Sequence, residues 1–196
     1  MKRMKSIMAV LLAAIMTMAM TVTAFADEGA TGTNSLTVNV KSTTPAQDLN
    51  GQTINLYKLF DVTESKSGET TNYAYTVNTA TGYKDVLVAA LNDSTITTSS
   101  TDEAIVTAVK NIGNDDSTEV QNFANAFTTK ALTKSPKLDA TTDSGKLGDV
   151  TSYEFTGLDA GYYLVYVTGG KSIQSSLLTV DDDNTTVSLK TEAPSI

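Results

Sequence analysis

Two hydrophobic periods alternate along this chain. Leu36, Val38 and Val40 alternate with Thr37 and Asn39, which predicts a half-buried strand. Thr53 to Val62 predicts a longer one, with Ile54 and Leu56 pointing one way and Tyr57 and Leu59 the other. Lys58 falls in phase with Ile54, Leu56 and Phe60, an odd place for a charge, and a β-bulge that shifts the phase accounts for it. A hairpin loop from Ser65 to Thr71 around Gly68 leads to a third strand carrying Tyr73, Tyr75 and Val77. After Gly82 the period changes. Tyr83, Val86, Leu87, Ala90 and Leu91 lie on one face of a helix; Ile105, Ala108, Val109 and Ile112 repeat that spacing, and Val120, Phe123, Ala124, Phe127 and Ala131 do so again. Ser100 and Glu103 have the spacing of a capping box for the second helix, and Asp116 or Ser117 is the expected cap of the third.

Thr133 to Val150 reads as a long polar loop, and strands then return at 151–156, 161–168, 175–180 and 186–190, with Asp181 to Asn184 as the last turn. The stretch from Gly157 to Val167 is a glycine-framed turn feeding a strand apolar on both faces: Tyr162, Leu164 and Tyr166 on one, Tyr163, Val165 and Val167 on the other. Both sets are expected to pack in the core. Strands, a helical block at about 83–132, then strands again predict a mainly β fold: a β-sandwich with two or three short inserted helices.

The N-terminus has a different character. Lys2, Arg3 and Lys5 precede an apolar run from Ile7 to Met20, and Ala24-Phe25-Ala26 matches a small-x-small cleavage site. Residues 1–26 are therefore expected to be a cleaved signal peptide on a secreted chain, followed by a flexible leader, 27–34, and one domain, 35–192. The full chain has 14 basic and 22 acidic residues; the leader peptide holds three of the basic ones, leaving 11 against 22 and a net charge of −11 from Asp27 onward. That remainder has no Arg, His, Cys or Trp. Such an acidic chain without Arg is a poor partner for nucleic acid or anionic membranes. Without His and Cys it has no Ser-His-Asp triad, thiolate nucleophile or ordinary zinc site, so no enzyme activity, cofactor or metal is expected.

The candidate sites divide into bland and sharp ones. Asp181-Asp182-Asp183 would put Glu192 at position 12 of an EF-hand loop, but Thr186 stands where Gly is required and the flanks read as strands, so a solvated turn is expected. Asp115-Asp116 reads as helix-cap chemistry. Lys130, Lys134 and Lys137 read as solvated loop charges. Lys190 follows Val187-Ser188-Leu189 at the end of the last strand, just before a proline-containing exit; an edge-strand lysine that blocks aggregation is one reading of it.

A second reading comes from a resemblance. Leu49-Asn50-Gly51-Gln52-Thr53-Ile54-Asn55-Leu56-Tyr57-Lys58-Leu59, Gly157 to Val165, Ser175 to Val180 and Val187 to Pro194, in that order, frame nearly all of the chain after the signal peptide. Together they resemble the N-terminal domain of Gram-positive, sortase-assembled fimbrial (pilin) backbone subunits, the isopeptide-forming pilin family. The resemblance implies an immunoglobulin-like sandwich, secretion, and polymerisation into a covalent cell-wall pilus used in adhesion. It implies a pilin-type sortase and neighbouring pilin subunits as partners, with a host protein or glycan as a possible ligand. It makes Lys190 the sortase cross-link acceptor, although the family's V-x-V-Y-P-K motif is represented only by Val187-Ser188-Leu189-Lys190. In related domains an intramolecular isopeptide uses a Lys on the first strand, a Glu after the G-x-Y-x-L strand and an Asn on the last. Here Lys41 is near the first position, Val167 stands near the second and the last strand offers no Asn, so no intramolecular isopeptide is expected. Residues 193–196 are expected to begin a linker to a downstream domain that would carry the sorting signal. The alternative is a free secreted module that binds carbohydrate or host protein.

Overall fold

The computed structural model describes residues 32–42, 46–67, 69–113, 117–170, 174–181 and 185–190. The expected signal peptide, most of the leader, Gly68, Asp115-Asp116, Asp182 to Asn184 and the linker at 193–196 lie outside the described residues.

Eight strands and three helices follow one another among the described residues: β1 (Asn34–Val40), β2 (Thr53–Ser67), β3 (Thr70–Val77), α1 (Tyr83–Leu91), α2 (Asp102–Lys110), α3 (Thr118–Thr133), β4 (Thr142–Asp143), β5 (Ser152–Leu158), β6 (Gly161–Thr168), β7 (Gln174–Val180) and β8 (Thr185–Leu189). The fold is mainly β, a sandwich-like arrangement of two sheets with the helical block inserted between β3 and β4. One sheet has the order β5-β1-β8, with β1 antiparallel to β5 and parallel to β8. The other has the order β3-β2-β6-β7, antiparallel throughout. Short β4 pairs with Asn55 and Leu56 of β2, on the edge that β3 takes over from Phe60 onward.

The second sheet is buried on both faces, which explains the doubly apolar β6. One face sends Ile54, Leu56, Tyr163, Val165 and Val167 against Leu36, Val38, Phe155 and Leu189 of the first sheet. The opposite face sends Tyr57, Leu59, Phe60, Tyr162 and Leu164 against the apolar stripes of the helices. The molecule is therefore three layers deep, sheet on sheet on helices, with two hydrophobic cores sharing one sheet. Aromatic rings anchor the helical layer. Phe127 meets Tyr57 edge-on at 5.3 Å, and Phe60 stacks on Tyr162 at 5.7 Å.

The bulge expected at Lys58 is present. Lys58 pairs with Tyr163, but Phe60 pairs with Tyr162, so Leu59 is the extra residue. This lets Leu59 and Phe60 both join the helix-side core, while Lys58 stays in phase with Ile54 and Leu56. Gly161 is required opposite it: a Cβ there would lie 2.8 Å from the Lys58 Cγ and Cδ and 3.0 Å from the Phe60 carbonyl oxygen. Gly157, at φ +70°, supplies the left-handed residue beside the register shift where β5 meets β1.

Three local expectations need correction. The second helix is capped by Thr101, whose Oγ1 accepts from the Ala104 N–H at 3.3 Å; Ser100 instead accepts from the Thr97 N–H at 3.0 Å, so there is no Ser100–Glu103 box. The hairpin loop is shorter than Ser65 to Thr71, because β2 runs to Ser67 and β3 starts at Thr70. The long loop after α3 is not wholly irregular: it holds β4, and its Leu138 is buried. Ser117 caps the third helix as expected, accepting from the Val120 N–H at 3.3 Å.

Candidate functional site

Lys190 lies immediately past β8, an edge strand of the three-stranded sheet. The strand alternates between half-buried and exposed positions until Leu189, which is 1 % exposed and closes the sandwich core. The Lys41 N–H donates to the Leu189 carbonyl at 2.8 Å, so the backbone is held up to the last core residue. The next residue, Lys190, is exposed. An amine on a long flexible stem is thus delivered to solvent from a fixed backbone position. Four other lysines are engaged with aspartates: Lys58 with Asp61 at 2.8 Å and Asp159 at 3.2 Å, Lys84 with Asp102 at 3.2 Å, Lys134 with Asp85 at 3.2 Å, and Lys137 with Asp139 at 2.7 Å. Lys110 lies over the Tyr75 ring, 4.0 Å from its centroid.

Lys130, Lys134 and Lys137, expected as solvated loop charges, are spread over helix and loop: Lys130 stands exposed on α3, Lys134 at its C-terminal cap ties it to α1, and Lys137 pairs within its own loop. Tyr162 and Tyr163 are core residues, and Tyr166 is half-buried beside the helix-side core. Val167 is 1 % exposed between the two sheets, so the position that the pilin resemblance associates with a catalytic Glu is apolar and tightly packed.

The charged cluster that sequence reasoning did not assemble surrounds Lys58. Its side chain is 15 % exposed and reaches Asp61, beyond the bulge, and Asp159, in the turn before β6. The Tyr163 hydroxyl donates to the Asp159 carbonyl at 2.9 Å and fixes that turn. The lysine's own backbone is satisfied as well: its N–H donates to Thr141 Oγ1 at 2.9 Å, and its carbonyl accepts from Asn78 Nδ2 at 2.7 Å. Burial pushes the Lys58 ammonium toward deprotonation. The hydrogen bonds and charges of Asp61 and Asp159 together outweigh that, and the group is held above the ordinary lysine range. Lys58 is thus an ion-paired cation at the bulge.

Among the described residues no group of three or more His, Cys, Asp or Glu is placed to hold a metal ion. Among them, too, no helix is long and apolar enough to cross a membrane. No protein-family model matches the chain, and no curated protein matches it.

Proposed function

We propose that this chain is a structural subunit domain of a covalently polymerised, cell-surface pilus, and that Lys190 is the amine through which a pilin-type sortase joins it to the next subunit. The observation that carries this reading is the placement of Lys190. It is exposed and directly follows the buried Leu189, whereas Lys58, Lys84, Lys134 and Lys137 are ion-paired. Transfer of an acyl group from an enzyme thioester needs an amine that can leave the subunit surface and lose its proton during attack. The aspartate-bound lysines must first break an ion pair to reach out from the surface. The motif order from Leu49 to Pro194 supports the same reading, as does the signal-peptide pattern of residues 1–26.

The test is Lys190→Ala in the native host. The exposed side chain contributes little to packing, so the purified variant should melt with the wild type. Its high-molecular-weight ladders in cell-wall extracts should disappear. Ladders of unchanged length would remove Lys190 from the reaction, and absence of ladders from the wild type would leave the free binding module as the better reading.

In the same reading the domain carries no intramolecular isopeptide. Among the described residues Lys58 is seated between two carboxylates, which hold its ammonium above the ordinary lysine range and so disfavour the free amine that amide formation requires. Intact mass spectrometry of the chain secreted from its host should give the mass of the processed sequence, with no loss of ammonia or water. A deficit of either molecule would mean that a bond has formed.

A further inference from the structure

The helical layer carries a cleft of about 640 Å³ between the C-terminal end of α1, the end of α2 and α3. Its apolar lining combines the small side chains of Ala89, Ala90 and Ala126 with Leu91, Ile112 and Phe123, the last 4 % exposed. Three asparagines, Asn92, Asn111 and Asn122, stand around it, one from each helix region. All three are exposed, and none of their carboxamides bonds to another described residue. Asn92 holds its place through the left-handed C-cap of α1, at φ 51°. Asn111 caps α2 through its backbone alone, donating to the Thr107 and Val109 carbonyls, which leaves its amide free.

We infer that this cleft is a binding site for a neutral saccharide. A carboxamide both donates and accepts, which matches neighbouring sugar hydroxyls that do the same. The apolar lining faces the apolar side of a pyranose ring, and the volume is in the ordinary range for small-ligand sites. Charge selects a neutral ligand. Glu119 and Lys130 at the rim cancel, and the adjoining hollow, which shares Asn111, adds Asp93 and Glu103. An anionic sugar would meet those carboxylates. A peptide fits less well, because helical walls offer no strand edge for its backbone to pair with. So open a cleft implies weak single-site affinity, which display of many copies would raise through avidity. The inference does not depend on how the copies are joined.

The test is a glycan array of neutral and sialylated oligosaccharides, probed with the fluorescent chain clustered on beads, alongside Asn111→Ala/Asn122→Ala. Both substitutions replace an exposed Asn with a better helix former, so the variant should fold. Binding to neutral members, weaker binding to their sialylated counterparts, and at least a tenfold loss in the variant are expected. Absence of binding to any glycan overturns the inference, as does equal binding by the variant. So does an NMR titration in which acetyl-triglycine amide, rather than an array sugar, shifts the Asn111 and Asn122 side-chain amides. Loss of array binding with intact pilus ladders, or the reverse, separates this inference from the role of Lys190.

Discussion

Lys58 shows how a residue that breaks a pattern can define a local structure. A lysine in phase with Ile54 and Leu56 would normally be expelled from a sheet face that packs on another sheet. The bulge at Leu59 and the turn before β6 instead bring Asp61 and Asp159 to it. The odd phase was legible in the sequence, and so was the bulge. The aspartate at position 159 was not, because it is 101 residues away and reaches Lys58 only through β2–β6 pairing. Titration at this scale has a definite sign. Below the ordinary lysine value of 10.5 both folded and unfolded Lys58 are charged, so its ion pairs stabilise fully; as pH rises through the raised folded value that contribution is lost. The buried tyrosines act in the same direction. Burial raises Tyr57, Tyr83 and Tyr163, and moves Tyr162 from 10.0 to about 12, so above pH 10 the unfolded chain releases protons that the folded chain retains. Stability should therefore be flat from neutral pH to near 10 and fall between 10 and 12. Circular dichroism across that range, with ring NMR of Tyr162, is the check. Tyr162 should ionise together with loss of the backbone signal. Ionisation at its ordinary value in a still-folded chain would contradict the burial argument.

At the scale of elements, periodicity located the helices and most strands because each stripe reports a face that must be covered. Ile105 and Val109 are buried as their spacing demands. The ends were less legible. Ser100-Thr101-Asp102-Glu103 offers several capping residues, and tertiary contacts decide among them. Asp102 accepts the Val77 N–H at 3.0 Å and pairs with Lys84, which fixes the entry of α2 and leaves Thr101 as the cap. β4 was missed because two polar residues carry no period. It is held from outside: the Ile54 N–H donates to Ser144 Oγ at 3.0 Å, and the Thr141 N–H donates to the Leu56 carbonyl at 2.7 Å. The cap assignment has a direct consequence. Thr101→Ala should cost ~1 kcal/mol, the usual loss for a Thr cap, whereas Glu103→Ala should change stability by less than about 0.5 kcal/mol. Urea unfolding of the two variants measures both. Equal costs would restore the capping box that the sequence suggested.

For the whole molecule, the sequence identified which faces are apolar but not which faces meet. β6 is apolar on both sides whether it sits in the middle of a sandwich or between a sheet and helices, and only the folded chain distinguishes the two. The cleft among Asn92, Asn111 and Asn122 was illegible for the same reason, since its walls come from three helix regions whose relative placement no local period encodes. The three-layer arrangement makes a mechanical claim. The helical core and the inter-sheet core share the sheet that contains β2 and β6, so neither should unfold while the other persists. Ile105 in α2 and Leu36 in β1 belong to different cores, and both are 0 % exposed. Ile105→Ala and Leu36→Ala should each cost about 2–5 kcal/mol, and the double variant should lose the sum, because the sites share no contacts. Each variant should keep one transition in urea, with coincident far-UV and near-UV signals. If Ile105→Ala instead melts in two steps, with helical signal lost while β1 and β5 amides stay protected from exchange, then the shared sheet does not couple the layers. The helical block would then be an accessory able to open on a folded sandwich. The single transition is expected because Leu164 and Tyr162 on the helix side alternate with Tyr163 and Val165 on the sheet side of one strand: loss of either layer exposes half of β6 to water.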